Sequence, residues 1–263
     1  MRGRLIGGLV VVLVLAAGVT AALLLSGRSP DVADLDAIQA EIDEGRFASA
    51  QEQLEAVLAS DETNAEAHFK LGLVLFNLGD FQGAEGHFNR SLLLDPDRAA
   101  AVHHNLGVLA YQMGDMTTAK AEFEAALTAD PDDADTRYQL GAAYLIQAFP
   151  MGAVEPDAGL LDRAQAEFER ALSIAPQKPE ALVGLANVYM LRDDLTAAID
   201  LLEQALDETP DMREALFALG RAYAVVGRTD DARTTLQRFL ETEPPAVWAQ
   251  QAQEILAGLG VVE

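Results

Sequence analysis

Residues 71–97 and 106–132 spell nearly the same phrase thirty-five positions apart, LGLVLFNLGDFQGAEGHFNRSLLLDPD and LGVLAYQMGDMTTAKAEFEAALTADPD. A chain that copies its own apolar pattern at a fixed interval is not built around one closed core. Each copy is too small to cover its own greasy face, so the next copy must cover it. The phase set by these two phrases extends along the chain. A leucine followed by a small residue recurs at Leu71-Gly72, Leu106-Gly107, Leu140-Gly141, Leu185-Ala186 and Leu219-Gly220. An alanine follows at Ala84, Ala119, Ala164, Ala198 and Ala232, and a large apolar residue four positions later at Phe88, Phe123, Phe168, Leu202 and Leu236. Proline closes each copy at Pro96, Pro131, Pro176, Pro210 and Pro244, at intervals of 35, 45, 34 and 34.

The chemistry of one copy predicts two helices. The first carries its leucine and small residue on one face, and a turn such as Gly79-Asp80 or Gly114-Asp115 reverses the chain. The second helix packs back through its alanine, because a small side chain lets two backbones approach, and the large residue one turn on fills the adjoining space. Proline then stops continuation. Asp95, Asp97, Asp130 and Asp132 flank the breaks and suit helix caps. Hydrophobic residues make up 50% of the chain but aromatics only 6%, a bias that favours helix over strand.

At these positions, and at Tyr144, Tyr189 and Tyr223 three residues after the small one, the chain resembles the tetratricopeptide repeat (TPR) family of helix–turn–helix units. The resemblance implies an all-α fold: a right-handed α-solenoid of about six helix pairs over residues 29–246. Its units lie near 31–64, 65–99, 100–133, 134–178, 179–212 and 213–246. A capping helix and tail follow over 247–263, with Gln250, Gln251, Gln253 and Glu254 of that helix facing water. The pattern has departures. The first unit keeps Gly45, Ala50 and Leu54 but has Ala37-Ile38 in place of Leu-Gly and Glu62 in place of proline. His68, His103, Arg137, Leu182 and Leu216 stand where the family has an early tryptophan. The fourth unit carries an insertion over 148–158, AFPMGAVEPDA.

Residues 1–28 are of another kind. Leu5 to Ser26 are 22 residues without a charge, thirteen of them Leu, Ile or Val. As a helix they reach about 33 Å, against a hydrocarbon core of about 30 Å. A cleaved signal peptide competes, with Val19–Ala22 as its cleavage site, but Leu23-Leu24-Leu25 prolong the apolar run beyond it. The expectation is therefore a retained anchor over 1–28, in contact with a lipid bilayer through residues 5–26. Arg2 and Arg4 place the N-terminus inside by the positive-inside bias. The expected location is the bacterial cytoplasmic membrane, single-pass, with the body outside.

The net charge is −24, and only 15 of the 18 Lys and Arg lie beyond residue 28, with all 42 acids. A nucleic-acid partner is excluded, since binding phosphates needs a basic stripe. There are no cysteines, so disulfides, thiolate metal sites and thiol nucleophiles are excluded too. No P-loop, H-E-x-x-H, G-x-S-x-G or dinucleotide fingerprint appears. His103 and His104 are adjacent, point about 100° apart on a helix and cannot clamp one metal alone. Neither an enzymatic activity nor a cofactor is expected.

What remains is binding. The family resemblance implies that the first helix of each pair lines a concave groove. Carried over by position, its lining is Phe69, Leu73, Phe76 and Asn77, then His104, Asn105, Val108, Tyr111 and Gln112, then Tyr138, Ala142 and Leu145, then Val183, Asn187 and Met190, then Phe217 and Arg221. A carboxylate clamp is not implied. Only Asn105 fits one, and Phe69, Leu73, Asp135 and Gln139 stand where basic or amide groups would be wanted. The groove is apolar and aromatic, with amides suited to an extended backbone. Phe149, Pro150 and Met151 in the insertion offer a second contact for a partner. The expected function is a membrane-tethered scaffold or accessory chaperone holding a protein or peptide segment. The alternatives are a structural subunit of a larger membrane complex and an envelope glycan-binding protein, the latter disfavoured by a single tryptophan, Trp248.

Overall fold

Side-chain oxygens just ahead of the helices set where many of them begin. Asn64 accepts from the backbone N–H of Ala67, Asp80 from Gly83, Asp115 from Thr118, Asp157 from Leu160 and Asp194 from Ala197. Each satisfies one of the donors a helix start leaves unpaired, worth about 1 kcal/mol. Asp95 and Asp130 end helices and take the N–H of Asp97 and Asp132 into the turn, whereas the cap of the following helix is Asp133 and not Asp132. Between the two helices of a pair the backbone turns left-handed at Gly45, Gly79, Gly114 and Gly227, and at Asp193 with φ 62° in the corresponding place.

The structure, a computed structural model, describes residues 32–149 and 155–260. Among them are thirteen α-helices, one 3-10 turn and no strand. They form two compact bodies, divided between Arg98 and Ala99. The first holds α1 (Val32–Asp43), α2 (Phe47–Ser60), α3 (Ala65–Leu78), α4 (Phe81–Leu94) and the 3-10 turn Pro96–Arg98. The second holds α5 (Ala99–Gln112), α6 (Met116–Ala129), α7 (Ala134–Ala148), α8 (Ala158–Ile174), α9 (Pro179–Leu191), α10 (Leu195–Glu208), α11 (Arg213–Val225), α12 (Thr229–Glu241) and α13 (Ala246–Gly258).

The periodic small and large residues are the core. Ala50, Ala84, Ala119, Ala164, Ala198 and Ala232 are fully buried, as are Leu54, Phe88, Phe123, Leu202 and Leu236, with Phe168 nearly so. Each buried phenylalanine contributes about 2–3 kcal/mol of apolar transfer. The glycine of the first helix is the seat for that ring. A Cβ on Gly72 would stand 2.6 Å from Phe88, on Gly107 2.5 Å from Phe123, and on Gly220 2.6 Å from Leu236. Phe168 lies between two such seats, Gly141 of its own pair and Gly184 of the next.

Within the second body the helices pair as α5/α6, α7/α8, α9/α10 and α11/α12. First helices also touch first helices, α5 to α7, α7 to α9, α9 to α11 and α11 to α13, while no two second helices of successive pairs meet. First helices therefore crowd the inner side of this body. Tyrosines three residues past the small residue stitch the pairs together: Tyr144 donates its hydroxyl to Glu124 at 2.9 Å, and Tyr223 does the same to Glu203. The described ends of the insertion are tied to the pair. Asp157 N–H bonds Ala148 C=O at 2.7 Å, bringing its ends together, and α8 starts six residues before its core alanine where the other second helices start three before theirs.

One expectation is corrected. No helix among the described residues is long and apolar enough to cross a membrane, so a single-pass protein of the bacterial cytoplasmic membrane is not supported. The span expected over residues 5–26, with its lipid contact, lies outside the described residues.

Candidate functional site

The inner face of the second body is built from rows of residues on α7, α9 and α11, successive rows lying one helical turn apart. Three positions before the small residue stand Tyr138, Val183 and Phe217; one position after it stand Ala142, Asn187 and Arg221. These six, with Leu145, line a cleft of about 450 Å³. Val183 and Phe217 form its floor, buried to 6% and 8% exposure, and Arg221 stands at its exposed rim.

Further residues complete the cleft that position-by-position reasoning missed: Glu180, Glu214, Met212, Gly184, Trp248 and Gln251. Two of them come from α13. Continuing the repeat phase past Pro244 puts Gln251 in the row of Tyr138 and Phe217, and Trp248 in the row of Glu180 and Glu214. That phase was the available signal, and treating α13 only as a closing helix with Gln251 facing water hid it. Gln251 is exposed and lines the cleft. Trp248 stacks on Phe217 with ring centroids 5.6 Å apart and planes at 18°, so the closing helix makes the cleft's end wall. Beyond it a shallower hollow continues over Arg221, Gln251, Glu254 and Ile255.

The electrostatics of the cleft are mixed. Lys178 bonds Asp135, lies 3.5 Å from Glu180 and sits 5.9 Å over the Tyr138 ring. Burial opposes its charge, but Asp135 and then Glu180 outweigh it and hold the ammonium above the ordinary lysine value. Burial pushes the Tyr138 phenol up, keeping it a neutral donor. The Arg221 guanidinium lies 5.6 Å over the Phe217 ring, and no described carboxylate pairs with it. Asn187 makes no side-chain hydrogen bond to a described residue, leaving its donor and acceptor to the cleft.

The other expected lining residues are placed differently. In the first body Phe69 lies against Phe88 at 5.7 Å and beneath Arg98 at 6.0 Å, Phe76 lies against Phe81 at 5.7 Å, and Leu73 is half-buried. Asn77 and Asn105 each give one amide N–H to a helix carbonyl, of Leu73 and Ala101, at 2.8 Å, which leaves the second N–H and the oxygen. His104 turns to Thr136, with Nδ1 2.6 Å from its hydroxyl, and burial lowers its pKa against Asp133 and Asp135. Val108 and Tyr111 pack on the Leu140 and Tyr144 core, Met190 packs on the neighbouring core, and Gln112 is exposed. Phe149 is 48% exposed, while Pro150 and Met151 lie outside the described residues. Among the described residues no group of three or more metal-ligating side chains converges.

The helix pairs, their buried alanines and the glycine seats define the repeat, and comparison with known families decides what it is. Models of the tetratricopeptide repeat match residues 35–101 and 157–213, 100–133, and 190–254. The chain belongs to the tetratricopeptide repeat family. Among solved TPR structures similar to it, Pseudomonas aeruginosa PilF aligns over 84% of this chain and 96% of its own, with TM-score 0.70 and 19% identity. PilW, a widely conserved type IV pilus biogenesis factor, aligns over 86% and 100%, with TM-score 0.70 and 20% identity. YrrB, a TPR protein with an unusual peptide-binding site, aligns over 69% and 87%, with TM-score 0.52 and 19% identity. At these identities the likeness is one of fold. No curated protein matches the chain.

Proposed function

We propose that this TPR protein is an interaction scaffold or accessory chaperone, and that the cleft of its second body takes an extended protein segment. The observation that carries this reading is the cleft itself. It has an apolar and aromatic floor of Tyr138, Val183 and Phe217, an aromatic end wall at Trp248, and two polar groups, Asn187 and Arg221, with no described partner for their side-chain hydrogen bonds. Apolar floors bury a partner's side chains, while amide and guanidinium groups at the rim bond its backbone carbonyls and fix its register. The printed descriptions of PilW as a biogenesis factor and of YrrB as having a peptide-binding site are consistent with that use.

The test places a photo-crosslinking residue at Ala142 or Gln251 in the cleft, and at the exposed Glu169 on α8 as a control. Partner adducts are expected from the cleft positions and not from Glu169. They are expected to disappear in the Asn187→Leu, Arg221→Glu double variant while its helical circular dichroism stays that of the native chain. Equal adducts from Glu169, or adducts that survive the double variant, would overturn the assignment.

A further inference from the structure

Two imidazoles face each other across α3 and α4. His68 Nδ1 and His87 Nδ1 stand 2.9 Å apart, with ring centroids at 5.1 Å and planes tilted by 32°. On the far side of His68, Nε2 lies 3.1 Å from the carbonyl oxygen of Glu62. A carbonyl only accepts, so that nitrogen carries a proton, and in a neutral ring Nδ1 is then the acceptor. His87 must donate its Nδ1–H to it. The pair tolerates one extra proton: His68 takes it on Nδ1, and His87 moves its own to Nε2 and accepts instead. It does not tolerate two, because N–H would then meet N–H and two positive rings would share one contact.

The surroundings act on this balance in both directions. Burial, and then the neighbouring His68, hold the His87 ring below its ordinary value, while Glu55 on α2 and Asp80 at the cap of α4 favour its charge. The nearby ions are otherwise engaged. Lys70 on α3 bonds Gln39 and lies 3.5 Å from Glu66, and Arg98 reaches Glu66 and Asp95. On α1, Glu41 and Asp43 are held by Gln53 and Gln39. Glu52, Glu62 and Glu85 are exposed.

We infer that His68 and His87 form a proton-sensitive latch that closes α3 onto α4 while at least one ring is neutral and parts when both are charged, loosening the first body on acidification. A histidine held below its ordinary value contributes stability above about pH 6.5, lost as pH falls through the lowered value. The second body carries the opposite arrangement at the same nineteen-residue spacing: His103 Nδ1 lies 2.7 Å from Glu122 Oε2, where an added ring proton meets a carboxylate. Acid therefore opposes the His68–His87 contact and not the His103–Glu122 contact, while His104, held low by burial, is a separate acid-sensitive group of the second body. The latch helix α3 also carries Phe69 and Leu73, so its opening moves part of the surface this body presents.

Hydrogen exchange of the full chain, at about pH 7.5 and about pH 5.5 and corrected for intrinsic rates, tests this above the ordinary carboxylate range. Protection in α3 and α4 is expected to fall by several-fold, up to about tenfold, with the histidine-free α9 and α10 unchanged. His87→Asn keeps a donor near the Nδ1 position and takes up no proton, so the loss is expected to vanish in it. An equal loss in that variant, or no loss in the native chain, would overturn the latch. Should the variant not fold, imidazole resonances of the native chain decide. Two separated protonation steps for the pair support the latch, and a single step near the ordinary histidine value contradicts it.

Discussion

At the scale of single residues, two backbone positions carry constraints that a substitution can expose. Asp193 occupies a left-handed turn, φ 62°, where four other pairs use glycine. An L-residue pays about 1–2 kcal/mol there, less for aspartate, whose short side chain tolerates the region. Asp193→Gly is expected to raise the stability of the second body by about 0.5 kcal/mol, measured by urea unfolding. Gly107 gives the opposite case. Its missing side chain is the space occupied by Phe123, a fully buried ring that has nowhere to retreat. Gly107→Ala is expected to cost about 1–3 kcal/mol by overpacking, although alanine is the better helix former. The glycine was visible in the repeat phrase from sequence. Its partner was not, because the phrase shows that Gly107 and Phe123 recur together without showing that one is the seat of the other.

At the scale of elements, the first and second helices of each pair follow directly from the recurring alanine, large residue and proline. The buried state of Ala84, Ala119, Ala164, Ala198 and Ala232 shows why those letters were legible: side chains with one neighbour to fit vary little between copies. Binding residues were less legible. His104 and Asn105 fit the expected rows by position, yet one bonds Thr136 and the other gives one of its two amide N–H groups to its own helix. Position on a face does not reveal which polar groups are already satisfied. The closing helix was legible as an element and as a cap, but its part in the cleft was not. Trp248 packs with Phe217 and Phe239 in the last core cluster, together with Leu216 and Leu236. Trp248→Ala is expected to cost about 2–3 kcal/mol in urea unfolding of the second body, because the half-buried indole covers the Phe217 and Phe239 rings. A change within experimental error would mean that α13 does not complete that core.

At the scale of the whole molecule, the chain puts its chemistry into surfaces. A net charge of −24 leaves few cations, and among the described residues most arginines are held by acids, as Arg137 is by Glu167 at 2.9 Å. Arg221 stands apart from that pattern, in a cleft, over an aromatic ring. The proposed function requires that the inner face of the second body receive a partner there. The chain's single tryptophan forms that cleft's end wall and is its natural reporter. The decisive measurement titrates a tryptophan-free segment of the crosslinked partner into the purified chain and follows Trp248 emission. A saturable one-to-one change, lost in the Asn187→Leu, Arg221→Glu variant, is expected. A segment that binds the chain with Trp248 emission unchanged, or equally well to the double variant, would contradict it.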